Sequence, residues 1–436
     1  MKRRRLVTPR RIARAALLAA CLLVPVFATQ AASQVGPLDQ SGSLDGAPYR
    51  IVVPAGWNGT LLLYAHGYRD KADHPGEVDN TTPDIAPSAA LATAALAQGY
   101  ALAGTAYRDN GWAVAEGAQD VRALAMHFRD QVALPDRTVL VAASLGTVIA
   151  LKAMEQSNGL FNGALCGCAF GAGATRSWDA AGDLALAYDT LFGVPASWGS
   201  FADVRDDLDF ETEVQPKLLA EVSNPANFAK FEFVRLVTGV PGRGLVPPAP
   251  PAFYPGWLFT DMFFTTEARA ELERRAGGPI VQNLDRSYSL SAAEIAYLVS
   301  LGVPTPVIDG WLAAMNARRT ASPPRAARNY VKNNATYSGK LQNPVLMLHT
   351  VIDPLIPVSQ QDAYAVTVFG KDREALLFQA FTNGNGHCNF TGPQLLTAVA
   401  AINAWVATGV APTGTTFPQA LGFLPPDFAP PPMLQP

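Results

Sequence analysis

Only five histidines occur in 436 residues, and no H-E-x-x-H helix or comparable metal-ligating cluster is present. Metallohydrolase chemistry therefore has no support. The few histidines also narrow any search for a general base, because little else titrates near neutral pH. No stretch beyond the first thirty residues is long and apolar enough to be a membrane helix. There is no internal repeat and no excess of basic charge. The 33 Lys and Arg stand against 36 Asp and Glu.

What is there begins with an address. Lys2, Arg3, Arg4, Arg5, Arg10, Arg11 and Arg14 precede an apolar run at residues 15–28, followed by Thr29-Gln30-Ala31-Ala32. A basic start, a short apolar stretch and small residues for cleavage predict a secretory signal peptide over residues 1–31. Its removal takes seven basic and no acidic residues. The mature chain then holds 26 basic against 36 acidic groups, about −10. That balance argues against nucleic acid and against an anionic membrane surface as partners. Oligomeric state is not legible.

The remaining chain alternates between two periodicities. Residues 49–54 read as a strand ending at a proline. Thr60–Ala65 (T-L-L-L-Y-A) is apolar on both faces, as in a strand covered on both sides. Residues 88–98 form an Ala-rich helix, 100–107 a strand, 114–132 a long helix and 163–171 another strand. From 173 to 340 the pattern is mostly helical with many proline breaks, including a Pro-rich crossing at 247–255. Ser291-Ala-Ala-Glu294 is a capping box. Trp257, Phe259, Phe263 and Phe264 read as core packing of this helical region. The sheet resumes at 344–349 and 375–381, and a helix capped by Thr391 with Gln394 follows. Strands alternating with helices predict a mostly parallel sheet covered by helices, with sites beyond the carboxyl ends of the strands.

Within this pattern, residues 137–154 hold the chemistry. The apolar run at 138–141, the small residues A-A-S-L-G at 142–146 and the helical spacing that follows predict a strand, a tight turn and a helix. Ser144 sits at the apex. Its hydroxyl would project above the sheet edge, and the Leu145 N–H would lie at a helix N-terminus that favours negative charge. The usual pattern is G-x-S-x-G, and Ala142 replaces the first glycine. Serine at the apex, where a dehalogenase needs aspartate, disfavours dehalogenase chemistry.

A nucleophilic serine needs a base, a group to orient that base, and donors for the oxyanion. His127 falls within a helix, His74 in an early loop and His349 inside a strand, while His66-Gly67 follows the 60–65 strand. His387 alone lies late, on a loop after the last strand, where the preceding Gly384 and Gly386 give it freedom to reach inward. It is the expected base. Asp353, after a buried strand and before Pro354, is the expected orienting acid, with Asp179 and Asp183 as alternatives. The oxyanion donors would be the N–H groups of Leu145 and Tyr68, with Gly67 letting the loop approach the substrate.

Four motifs in this order carry a resemblance: Y-A-H-G-Y (64–68), A-A-S-L-G (142–146), H-T-V-I-D-P-L-I-P (349–357) and G-H-C-N-F-T (386–391). The chain resembles secreted bacterial α/β-hydrolases of the esterase, lipase and polyester-depolymerase kind. The resemblance covers both sheet segments and leaves the helical region unmatched. It implies the α/β-hydrolase fold and serine hydrolysis of small or polymeric carboxylic esters, with Ser144, Asp353 and His387 as a triad and no metal or organic cofactor. The organisation expected from the residue pattern is a core at 32–172, a helical cap at 173–340, a second core segment at 341–410 and a Pro-rich tail at 411–436, on the surface or disordered. A secreted peptidase with the same triad is the alternative function. A binding protein on a hydrolase fold is disfavoured by the complete triad.

Export permits a disulfide. Of the cysteines left after cleavage, Cys388 follows the expected base, and Cys166 and Cys168 end a strand on the same rim. Two residues apart, they share a face if the strand is regular, so the sequence does not choose between them. The expectation is Cys166 with Cys388, pinning the histidine loop.

Overall fold

The computed structural model describes residues 36–156, 159–240 and 254–433, without the side chains of residues 254–257. The expected signal peptide, most of the Pro-rich crossing and the Trp257 side chain lie outside the described residues.

Eight strands form one sheet in the order β1-β2-β4-β3-β5-β6-β9-β10. They are β1 (Leu38–Leu44), β2 (Ala47–Val53), β3 (Thr60–Ala65), β4 (Ala101–Thr105), β5 (Arg137–Ala143), β6 (Gly163–Gly167), β9 (Val345–Ile352) and β10 (Leu377–Asn385). A two-residue ribbon, β7 (Gly199–Ser200) with β8 (Asp203–Val204), stands apart. From β4 to β10 every pairing is parallel, while β1–β2 and β2–β4 are antiparallel. This is the α/β-hydrolase sheet: parallel strands with helical crossovers, begun by an antiparallel hairpin.

The two-sided burial of β3 has a direct cause in its sequence. Leu61, Leu63 and Ala65 join one apolar cluster, whereas Leu62 and Tyr64 join another. Successive strand side chains point to opposite faces, so a strand with no polar position needs cover on both. The first face packs on α2 (Val114–His127) and α3 (Leu145–Glu155) through Val121, Leu124, Val148 and Ile149. The second packs on α1 (Ala89–Ala97) and α13 (Gly392–Thr408) through Ala95, Ala398, Ile402 and Trp405. Burying each such leucine contributes about 1.5–3 kcal/mol.

Between β6 and β9 the chain forms α4 (Ala174–Phe192), α5 (Gln215–Val222), α6 (Phe228–Thr238), α7 (Tyr254–Thr265), α8 (Glu267–Ala276), α9 (Ala292–Ser300), α10 (Thr305–Ala317) and α11 (Arg325–Ala335). Ser291 and Thr391 both form the capping boxes that their sequences predict, at the starts of α9 and α13. Between β9 and β10 lies α12 (Ser359–Phe369).

Several boundaries differ from the sequence reading, three of them by four residues or more. The helix expected over 114–132 is α-helical only to His127 and then widens into a π turn at Phe128–Val132. β6 stops at Gly167 rather than continuing to 171. β10 runs on past Phe381 to Asn385, because Thr382 and Asn385 still pair with β9 across an irregularity. The tail also contributes core: Phe417 and Phe423 are buried, and Phe423 bridges to Thr382. Proline content alone hid those apolar anchors. Among the described residues, no helix is long and apolar enough to cross a membrane.

Candidate active site

Five neighbouring strands, β3, β5, β6, β9 and β10, end on one rim. Each is followed there by a residue type that chemistry could use: His66-Gly67, Ser144, Cys168, Asp353 and His387.

Ser144 links β5 to α3 with φ 51° and ψ −125°. A left-handed φ is costly for a side chain with Cβ, of order 1–3 kcal/mol, and persists where the surroundings enforce it. Here the Ser144 N–H donates to Gly167 O, and Ser144 O accepts from the Thr147 N–H and hydroxyl. Close packing explains the small residues. A Cβ on Gly146 would lie 2.1 Å from Ala65 O, so α3 touches the end of β3. A Cβ on Gly67 would come within 3.2 Å of the Ser144 Cβ. Ala142 is accommodated in place of the usual glycine, buried in the sheet's apolar cluster.

The His387 Nε2 lies 2.9 Å from Ser144 Oγ, and its Nδ1 lies 2.9 and 3.1 Å from the two Asp353 oxygens. With Nδ1–H donating to Asp353, Nε2 is left as an acceptor facing the hydroxyl. Asp353 is buried, which by itself would raise its pKa. The imidazole of His387, that of His349 and the Ile356 N–H outweigh burial and hold it below the usual value. Its Oδ1 also accepts from the N–H groups of Leu355 and Ile356, which fix its orientation. The loop bearing His387 is tied to β9 by Gly386 N–H to Ile352 O and by the Thr350 hydroxyl to Gly386 O.

The alternatives for the acid are engaged elsewhere. Asp179 accepts two bonds from Arg328 and one from the Gln282 N–H. Asp183 accepts from the Tyr288 hydroxyl and pairs with Arg286. The other histidines also have structural settings. His349 is buried with Nε2 on Ile356 O, and His127 meets the Tyr49 hydroxyl. His66 stacks on Tyr107 at 3.9 Å, and burial with the nearby Arg69 cation pushes it down to about 4, so it stays neutral.

Leu145 is the first residue of α3, where backbone donors lack intrahelical acceptors. Tyr68 follows Gly67 beside Ser144. Its ring packs edge-on against Phe263 and Phe264 of α7. Two aromatics of this helix, read from sequence as packing within the helical region, therefore also pack on Tyr68.

One disulfide expectation is corrected. Cys388 bonds Cys168, with Cα atoms 5.2 Å apart, and Cys166 is a buried free thiol. The regular-strand premise fails at Gly167, where β6 ends. Cys168 has φ 47°, which turns its side chain off the strand face and over the rim, while Cys166 stays in the apolar cluster. Burial pushes the Cys166 thiol well up, so it is inert.

The sequence reading missed Asp261. This α7 carboxyl is buried, its Oδ1 has no hydrogen-bond partner, and it lines a cavity of about 50 Å³ with Phe170, Trp178, Phe264, Leu355 and Ile356. Burial, reinforced by the charge of Asp353, raises its pKa well above the usual value. The signal was a lone acid within the apolar run W-L-F-T-D-M-F-F at 257–264.

No protein-family model matches the sequence, and no curated protein does. Solved structures give likenesses of shape. An epoxide hydrolase from Vigna radiata is 14% identical, covering 85% of this chain and 98% of that one at a TM-score of 0.38. Feruloyl esterase B from Aspergillus oryzae is 14% identical, covering 86% and 80% at 0.37. Mouse alpha/beta hydrolase domain-containing protein 10 is 12% identical, covering 86% and 100% at 0.34. The α/β-hydrolase fold itself rests on the strand order and parallel pairing of the sheet.

Proposed function

We propose that the chain is an exported serine hydrolase that cleaves carboxylic esters through an acyl-enzyme. The observation that carries this is the continuous line from Ser144 Oγ through His387 to Asp353, with both contacts at 2.9 Å. His387 Nε2 takes the hydroxyl proton as Ser144 attacks the carbonyl carbon. Asp353 accepts Nδ1–H throughout and stabilises the imidazolium that forms. Negative charge developing on the carbonyl oxygen is met by the N–H groups of Leu145 and Tyr68. Losing one such donor typically costs about 2.7–4 kcal/mol of transition-state stabilisation. His387 then returns the proton to the leaving alcohol, and water repeats the sequence to free the acid. This chemistry calls on no metal or organic cofactor.

Export is supported by the basic and apolar N-terminal sequence and by the Cys168–Cys388 bond, which a reducing cytosol would not sustain. The resemblance to secreted esterases, lipases and polyester depolymerases makes small or polymeric esters the substrate class.

A peptidase is the second reading, because amide cleavage uses the same triad. A fluorophosphonate probe tests both readings together: labelling at Ser144 is expected, and its absence with intact protein overturns them. Short p-nitrophenyl esters against aminoacyl-nitroanilides separate the two. Turnover of esters alone supports the first.

A further inference from the structure

The cavity of about 50 Å³ that Asp261 lines is enclosed by α4, α7 and the loop after β9. Its wall shares residues with the segments that hold the catalytic groups. Leu355 and Ile356 donate their N–H groups to Asp353, and Phe264 packs on the Tyr68 ring. Phe170 donates its N–H to the Thr147 hydroxyl, which itself donates to Ser144 O. Trp178 and Leu184 of α4 add to the apolar lining.

Two polar groups on this wall lack partners. Asp261 is 3% exposed, and its Oδ1 is buried without a hydrogen bond. Trp178 is buried as deeply, and its Nε1 has no acceptor. Buried indole and carboxyl groups are ordinarily paired, so both orphans need an explanation. The neighbouring hydroxyls are already engaged. That of Ser177 meets Gly173 O and Gln360 Oε1, and that of Thr265 donates to Met262 O. Among the described residues, no Lys, Arg or His lines the cavity. Burial first, and then the charge of Asp353, favour the protonated Asp261 carboxyl.

These properties select a guest. An anion would meet no cation there. A neutral oxygen on an apolar stem suits both the lining and the orphans. A hydroxyl suits them best, since it accepts from an indole N–H and both donates to and accepts from a neutral carboxyl. The volume limits the stem. One water takes about 30 Å³ and a cavity of about 150 Å³ admits benzene, so this one takes the end of a chain and not a ring.

We propose, resting on the ester-hydrolase reading, that Asp261 is a specificity-determining residue that hydrogen-bonds a hydroxyl on the substrate's acyl chain and so selects hydroxyacyl esters. The acyl chain stays bonded to Ser144 until water frees it, whereas the alcohol leaves after the first step. Selection works by rejection: an unsubstituted chain leaves the buried carboxyl unpaired.

The test is kcat/KM for matched ethyl esters, hexanoate against ω-hydroxyhexanoate and butyrate against β-hydroxybutyrate. The wild type should prefer the hydroxy member of at least one pair by about tenfold or more. Asp261→Leu should abolish that preference, while Asp261→Asn, which still hydrogen-bonds, should keep most of it. Equal kcat/KM within each pair in the wild type overturns the proposal and leaves the cavity to bound water. A preference that survives in folded Asp261→Leu also overturns it; should that variant not fold, survival in Asp261→Ala decides in the same way. Loss in Asp261→Asn as well would mark a packing role and overturn it. So would a preference seen only with the hydroxyl on the alcohol, in hydroxyethyl against ethyl butyrate. Fluorophosphonate labelling of the wild type keeps two failures apart. Without labelling the hydrolase reading itself fails, and labelling with no hydroxyl preference overturns only the role of Asp261.

Discussion

Cys168 is bonded to Cys388, the residue next to the imidazole that faces Ser144. The bond joins the end of β6 to the histidine loop across a sequence separation of 220. In the chain-entropy view, closing so long a loop contributes about 5 kcal/mol as an upper figure. Thiol counting in denaturant without reductant, on protein lacking residues 1–31, should find one thiol, that of Cys166. Three would contradict the bond. Cys168→Ser should lower the melting temperature and reduce turnover, since His387 then sits on a freer loop.

Ser144→Ala should leave the fold intact and cut ester turnover by about 10⁶. Near-normal turnover in that variant would remove the serine from the mechanism altogether.

Asp353→Asn should cost about 10⁴ in kcat, because an amide favours the wrong imidazole tautomer. Asp179→Asn and Asp183→Asn should affect stability through their arginine partners and leave kcat within a fewfold. A crippled Asp179→Asn with active Asp353→Asn would reassign the acid. The Asp353 pKa is also lowered in the folded protein. Its stabilisation is therefore fully present above the unfolded carboxyl value, about 3.9, and is lost as pH falls below it.

Asp261 gives the opposite sign. Its folded pKa is raised well above the unfolded one, so the folded state holds a proton that the unfolded state releases. Stability should fall as pH rises above about 4, by about 1.4 kcal/mol per pH unit, until the folded group itself ionises. Melting temperatures of the wild type and Asp261→Asn between pH 5 and 8 should diverge in favour of the variant as pH rises. A constant gap would show that the carboxyl is already ionised in the fold.

Gly146→Ala tests the close approach of α3 to β3. The added Cβ would lie 2.1 Å from Ala65 O and 2.6 Å from His66 O, both backbone atoms that cannot yield cheaply. A loss of about 1–3 kcal/mol is expected in denaturant melts. An unchanged midpoint would mean that the turn has more room than its geometry indicates.

Sequence pattern was enough for the parallel sheet and for placing Ser144, Asp353 and His387 at strand ends. A strand with no polar face must be covered on both sides, and a serine among small residues between a strand and a helix must sit at a rim. The late histidine after two glycines and the aspartate after a buried strand lie at the ends of other strands of the same sheet, so topology alone brings them near Ser144. These are local rules, read from neighbours in the chain. Other features depended on distances between segments far apart in sequence. β6 ends at Gly167 because Cys168 turns to a left-handed φ, and that one dihedral gave the disulfide to Cys168 rather than Cys166. Proline masked the tail's buried Phe417 and Phe423. Asp261 drew no notice along the chain, and only packing buries it within the influence of the Asp353 charge. Burial and charge proximity are properties of the packed whole, and no window of sequence contains them.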